Sequence, residues 1–322
     1  MVQPCSYAAP RFFRNPHVQM IVVNGLRFVR GVTYRRERLN TPDGDFIDLD
    51  WSCRGFRRVA VIVHGLEGHS RRPYVLGMVR AVQEAGWDAC AVNLRGCSGE
   101  PNRKPWFYHS GMTEDLETIV EHMARSDRYD AVSLVGFSLG GNLILKYLGE
   151  QGLKLPPFIR AAVTFSVPCD LAGSARKISE PQNRFYLKRF LKMLCKKIQA
   201  KAALFPDRLH PQECSRIRTL EDFDHLYTAP LHGFQDARDY YARASCLPFL
   251  EQITIPTLLV NALDDPFLST TCFPYREAYR NPYLFLETPS YGSHVGFGDF
   301  VGRLAVWSEK RAVTFLQDQS LP

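Results

Sequence analysis

The chain has 322 residues, of which 45% are hydrophobic and 23% charged. These are the proportions of a globular protein, and they exclude a disordered chain, a collagen and a coiled coil. Net charge is +7, yet residues 183–203 carry seven basic side chains and no acidic one, so the rest of the chain is balanced. That is a local basic feature and not a nucleic-acid-binding surface.

Residues 1–30 show little periodicity and no apolar core of a secretory signal. A turn signature, Thr41, Pro42, Asp43 and Gly44, separates two strand candidates at 31–39 and 46–51, which predicts a hairpin. The run RVAVIV (58–63) is short and continuously apolar, as in a strand buried on both faces. Helical spacing follows over 73–86 and ends at a glycine. DACAVNL (88–94) is the next strand. Thr113 is expected to cap a helix reaching about residue 125, with Glu114 and Asp115 in its first turn. A strand at 131–137 and a helix at 142–148 come next, then strands at 161–167, 256–263 and 283–287.

Alternating strands and helices imply βαβ units and a parallel sheet. The alternation lapses once, between residues 170 and 245, where only helix signals occur. The expectation is one domain over 1–322 with a helical cap at 171–245 inserted into it. Nine cysteines form no CxxC pair, which argues against a zinc ribbon or a disulfide framework and fits free thiols in the cytoplasm. No apolar run approaches a membrane span.

The chemistry concentrates after the strands. GFSLG (136–140) sits where a buried strand meets a helix. A serine there occupies a strained turn that lifts its hydroxyl above the sheet, and flanking glycines let strand and helix approach. Ser138 is therefore the candidate nucleophile. A hydroxyl needs a base, and His294, in the glycine- and serine-rich SYGSHVG (290–296), is the one histidine after residue 232. The orienting acid is expected past the preceding strand, at Asp264 or Asp265. Asp265 is favoured, because Pro266 holds it extended. Two backbone amides are expected to hold an oxyanion, those of Leu66 in HGLEG (64–68) and Leu139 after the serine. His64 ends a buried strand and reads as a structural histidine.

No phosphate-cradling GxxxxGK[ST], GxGxxG or HExxH occurs, and no His/Cys cluster has metal spacing. No metal or organic cofactor is expected. RGCSGEPN (95–102) reads as a loop shaping the rim of the substrate pocket, with Cys97 a bystander beside Arg95. In 183–203, Leu187, Phe190, Leu191, Leu194 and Ile198 recur at helical spacing with lysines between them. The expectation is a cap helix over the site with solvated lysines outside. The sharper alternative is contact between 183–203 and an anionic membrane.

These motifs together resemble the YheT-type branch of the α/β-hydrolases, which includes bacterial hydrolases and eukaryotic lipases. The resemblance runs nearly the whole length, through NPHVQ (15–19), PDGD (42–45), HGLEG, RGCSGEPN, YHSG (108–111), the Ser138 turn, DDPF (264–267) and HVGF (294–297). One departure is Val18, Gln19 and Met20, where the family tends to Leu-Gln-Thr. The resemblance implies an α/β-hydrolase fold, with a mostly parallel central sheet flanked by helices. It puts Ser138, Asp265 and His294 on the family's triad positions and implies a carboxylic ester hydrolase acting on small acyl esters or acylglycerols. Acyl transfer through the same acyl-enzyme, or ligand binding without turnover, are the alternatives. Oligomeric state is not legible.

Overall fold

A computed structural model describes residues 1–301 and 303–319. Its centre is an eight-stranded sheet ordered β1-β2-β4-β3-β5-β6-β7-β8. The strands are β1 (Arg35–Asn40), β2 (Phe46–Ser52), β3 (Arg58–Val63), β4 (Asp88–Asn93), β5 (Ala131–Phe137), β6 (Ile159–Phe165), β7 (Thr257–Val260) and β8 (Leu284–Glu287). β1 and β2 form the expected antiparallel hairpin, and all neighbours from β4 through β8 pair in parallel.

The apolar run of β3 is explained by its two covered faces. Val59, Val61 and Val63 join one core with the helices α3 (Thr113–Arg125) and α4 (Leu139–Gln151), while Ala60 and Ile62 join a second with α2 (Pro73–Glu84) and the terminal helix. Burial on both sides removes the polar alternation that an exposed sheet face would require.

A short α1 (Pro16–Ile21) begins the chain's helices, capped by Asn15, whose side chain accepts from the amides of His17 and Val18. Between β6 and β7 the chain is helical. α5 (Leu171–Ile178), the long α6 (Arg184–Ala202), α7 (Leu220–Phe223), α8 (Ala229–His232) and α9 (Ala237–Ala244) make up this helical insert. Its own small core includes Leu171, Leu187, Leu220 and Tyr240, closed by Phe267 from the sheet side. α10 (Tyr275–Arg280) precedes β8, and a hairpin of β9 (Gly298–Val301) with β10 (Arg303–Val306) leads into α11 (Trp307–Asp318). That last hairpin and helix were not foreseen, nor was α1.

Thr113 corrects one expectation. It is the first residue inside α3, Met112 occupies the cap position, and no side chain caps the helix. The Thr113 hydroxyl instead donates to Glu150 on α4 at 2.6 Å.

Candidate active site

Ser138 follows β5 directly and opens α4 with φ +53° and ψ −121°. This backbone region is costly for a residue with a side chain and survives only where the surroundings impose it. The imposition is visible at Gly140: a Cβ there would lie 2.5 Å from the Val63 carbonyl oxygen. The helix can therefore start against β3 only with glycine at that position. α4 then begins at Leu139, whose amide has no acceptor one turn back.

The Ser138 hydroxyl lies 2.9 Å from Nε2 of His294. On the ring's other side, Nδ1 is 2.8 and 3.1 Å from the two carboxylate oxygens of Asp265. Asp265 is 4% exposed and also accepts from the Phe267 amide at 2.9 Å, so its carboxylate is held from two directions. The carboxylate fixes the imidazole with the proton on Nδ1 and leaves Nε2 free to accept from the serine. Phe267 packs on the ring, centroid to centroid 4.6 Å.

Asp264 does a separate job. Its Oδ1 accepts from the Ser293 amide at 2.7 Å, while Oδ2 is buried without a partner. Burial pushes its carboxyl up to about 6, against the pull of the Ser293 amide. One aspartate thus grips the histidine ring and the next grips the loop that carries it. The same loop is tied by Ser293 to the Pro16 carbonyl at 2.6 Å and by the Val295 amide to Ser166 at 2.8 Å. Ser293, Val295 and Phe297 all have positive φ, between +48° and +55°.

Leu66 and Leu139 both line the chamber that holds Ser138 and His294. The Leu66 amide donates to no protein group among the described residues. His64 is fully buried; Nδ1 meets the Gly65 carbonyl at 2.8 Å and Nε2 accepts from the Leu94 amide at 3.2 Å. Burial drives its pKa down to about 3, so it is a neutral structural group, as expected.

The chamber measures about 130 Å³, and residues of the insert such as Leu171, Phe190, Leu194 and Leu220 form much of its wall. A cleft of about 310 Å³ also touches Ser138 and His294 from another side. The 95–102 loop does not rim the chamber. Arg95 is 3% exposed, bonded to Asp115 at 2.6 and 2.9 Å and to Asp43 at 2.6 Å, and Asn102 donates to Asp45 at 2.6 Å. The loop therefore pins the β1–β2 turn to α3. Cys97 lies 3.4 Å from Lys197, and burial pushes its thiol up to about 11.

The lysines of α6 give the largest correction. Lys197 turns inward and pairs with Glu67 at 2.6 Å. Tyr108 joins them, accepting from the Glu67 amide at 2.7 Å and donating to its carboxylate at 2.9 Å. Lys201 is 1% exposed and donates to Asn102 at 2.9 Å. The signal was present in the sequence: Phe190, Leu194, Lys197 and Lys201 fall at i, i+4, i+7 and i+11, one face of the helix. Glu67, next to Leu66 and at φ +52°, is tied to the insert through Lys197. Among the described residues no group of three or more His, Cys, Asp or Glu could hold a metal ion, and no helix is long and apolar enough to cross a membrane.

A serine turn between strand and helix, with first an aspartate and then a histidine following in the chain at the ends of the sheet, defines an α/β-hydrolase. A model of the "alpha/beta hydrolase fold" matches residues 59–271, and the chain belongs to that family, in its YheT-type branch. It is 36% identical to YheT of Escherichia coli (strain K12) over 95% of this chain and 91% of that protein. It is 32% identical to phospholipase ABHD3 of Homo sapiens, over 83% of this chain and 67% of that one. A monoacylglycerol lipase of Saccharomyces cerevisiae is 31% identical over 84% of this chain and 60% of its own length. Among solved structures, the Pyrococcus furiosus esterase Pf2001 superposes with a TM-score of 0.61 at 17% identity, covering 92% of this chain and 97% of that one, a likeness of fold.

Proposed function

We propose that this protein is a serine carboxylic ester hydrolase, and the observation that carries the reading is the continuous hydrogen-bonded line from Ser138 through His294 to Asp265 at the floor of an apolar chamber. Ser138 Oγ attacks the ester carbonyl while His294 Nε2 takes its proton. The tetrahedral oxyanion rests on the amides of Leu66 and Leu139, a type of stabilisation whose loss typically costs about 10²–10³ in turnover. His294 returns the proton to the departing alcohol, leaving an acyl group on Ser138. Water, deprotonated by the same histidine, releases the acid. Asp265 holds the ring and stabilises its charged form throughout.

The chamber's wall is mostly side chains of the insert, and we read residues 171–245 as the cap that selects the acyl group. The relatives named phospholipase and monoacylglycerol lipase support acyl esters of glycerol as substrates. Nine free cysteines support a cytoplasmic location. The test is hydrolysis of p-nitrophenyl esters of increasing chain length by the wild type and Ser138→Ala. Hydrolysis by the wild type that is absent from the variant supports the reading, and equal hydrolysis by both overturns it.

A further inference from the structure

The cleft beside Ser138 opens between two segments far apart in sequence. Ile21 and Gly25 line one side, and Phe185, Arg189 and Met193 of α6 line the other. His17 and Tyr186 join the two segments, with stacked rings 5.6 Å apart and a hydrogen bond of 3.1 Å. Two of the apolar residues lining the cleft also face outward, Ile21 at 49% exposed and Phe185 at 68%. Leu26 and Phe28, in the segment that runs on from Gly25, are 73% and 78% exposed. Single exposed apolar residues are common on any surface, but several in the two segments that bound a cleft are not.

The charge of these two segments has one sign. Residues 1–36 contain no Asp or Glu, and neither do residues 181–206. Arg30, Arg184, Lys188, Arg189, Lys192 and Lys196 are exposed and make no ion pair among the described residues. Lys197 and Lys201 do not belong to this set, because both are committed inward. The outward cations are therefore not partners for the protein's own carboxylates. Apolar side chains ringed by unpaired cations match the boundary of an anionic bilayer, where the former enter the acyl region and the latter meet lipid phosphates. Exposed aliphatic groups such as Ile21 and Leu26 have no counterpart on a nucleic-acid backbone.

We propose that this face, residues 17–30 together with the outer side of α6, docks on anionic lipid bilayers with the mouth of the Ser138 cleft against the membrane. Docking in this pose lets an acyl ester pass from the bilayer to Ser138 without crossing water. The docking stands by itself; only what it delivers rests on the ester-hydrolase reading.

The test is co-sedimentation of the full chain with vesicles of phosphatidylcholine alone or mixed with phosphatidylglycerol, at low and high salt. One variant carries Arg184→Glu, Lys188→Glu and Lys192→Glu; none of the three lines the cleft. A second carries Leu26→Asp and Phe28→Asp. Wild type should prefer the anionic vesicles by at least about tenfold at low salt and lose that preference at high salt, since each basic residue near the surface adds to the attraction. The triple variant should bind anionic vesicles at least about thirtyfold more weakly, and the double variant should bind both kinds less well. Both should hydrolyse soluble p-nitrophenyl butyrate as wild type does. Ser138→Ala should sediment like wild type; if it also keeps hydrolysis, the ester-hydrolase reading fails while the docking face stands. No anionic preference in wild type, or equal sedimentation of wild type and triple variant, overturns the proposal. So does a concentration-dependent dimer that Leu26→Asp/Phe28→Asp dissolves while vesicles go unbound, which would assign the face to a second copy of the chain.

Discussion

The ends of the sheet strands and the helical insert hold their functional groups by different means. At the sheet, position comes from backbone. Ser138 is placed by the register of β5 between β3 and β6 and by a left-handed turn, and Asp265 by the Phe267 amide, which donates to its carboxylate, and by its own amide, which donates to the Ala262 carbonyl. In the insert, position comes from side chains. Lys197 reaches Glu67, Lys201 reaches Asn102, and Asn183 donates to the Pro266 carbonyl at 2.6 Å. Backbone placement tolerates little variation and leaves compact sequence motifs. Side-chain placement can be met by many sequences, so the wall of the chamber can vary while the chemistry below it stays fixed.

Attacks on the two regions should therefore differ in kind. The largest effect is expected from Ser138→Ala, which should lower turnover by about 10⁶ with an unchanged unfolding midpoint. A partial loss, together with a shifted midpoint, would mean that the serine serves the fold more than the reaction. Next, Asp265→Asn should reduce turnover by about 10⁴, because the ring loses its orienting acceptor. Asp264→Asn should cost far less, since the amide oxygen can still accept from Ser293. The reverse ranking in steady-state kinetics would exchange the roles of the two aspartates.

On the insert side the effect should appear in stability. Lys197→Met leaves Glu67 buried without its partner, and breaking a buried pair in this way typically costs about 3–5 kcal/mol. Denaturant unfolding should show that loss, and Glu67→Gln added to Lys197→Met should restore part of it. A Lys197→Met protein as stable as wild type would remove the contrast between the regions. The smallest effect concerns the thiols. Cys97 is held protonated by burial, with Lys197 opposing, and a thiol is not the nucleophile that alkylation requires. Iodoacetamide should leave turnover within about twofold of the untreated enzyme. Complete inactivation that persists in Cys97→Ala would point away from serine chemistry.

What could be read from the sequence follows the same division. The strands, the hairpin at 46, the Ser138 turn and the helical character of 171–245 were legible, because period and glycine placement record backbone geometry. The 95–102 loop was misread. Its glycines suggested a pocket rim, while its Arg95 and Asn102 act through partners near residue 45 and at Asp115 that no local pattern reveals. Lys197 and Lys201 were misread for a related reason: lysine is taken as solvated unless a partner is known, and the partners lie about a hundred residues away. The loop around His294 was recognised, but its second aspartate anchor was not.

The left-handed residues around the site bear on how this chemistry could be moved. Ser138, Ser166, Ser293 and Val295 each carry φ between +53° and +55°, and Ser166 supplies the hydroxyl that accepts from the Val295 amide. Such conformations cost of order 1–3 kcal/mol each, and the surrounding sheet bears that cost. Grafting Ser138, His294 and Asp265 onto another parallel sheet would carry the side chains and leave behind the turns that aim them. The portable unit is the set of four strand-end loops, after β5, β6, β7 and β8, with their strain intact, and a recipient scaffold would need several kcal/mol of spare stability to accept it.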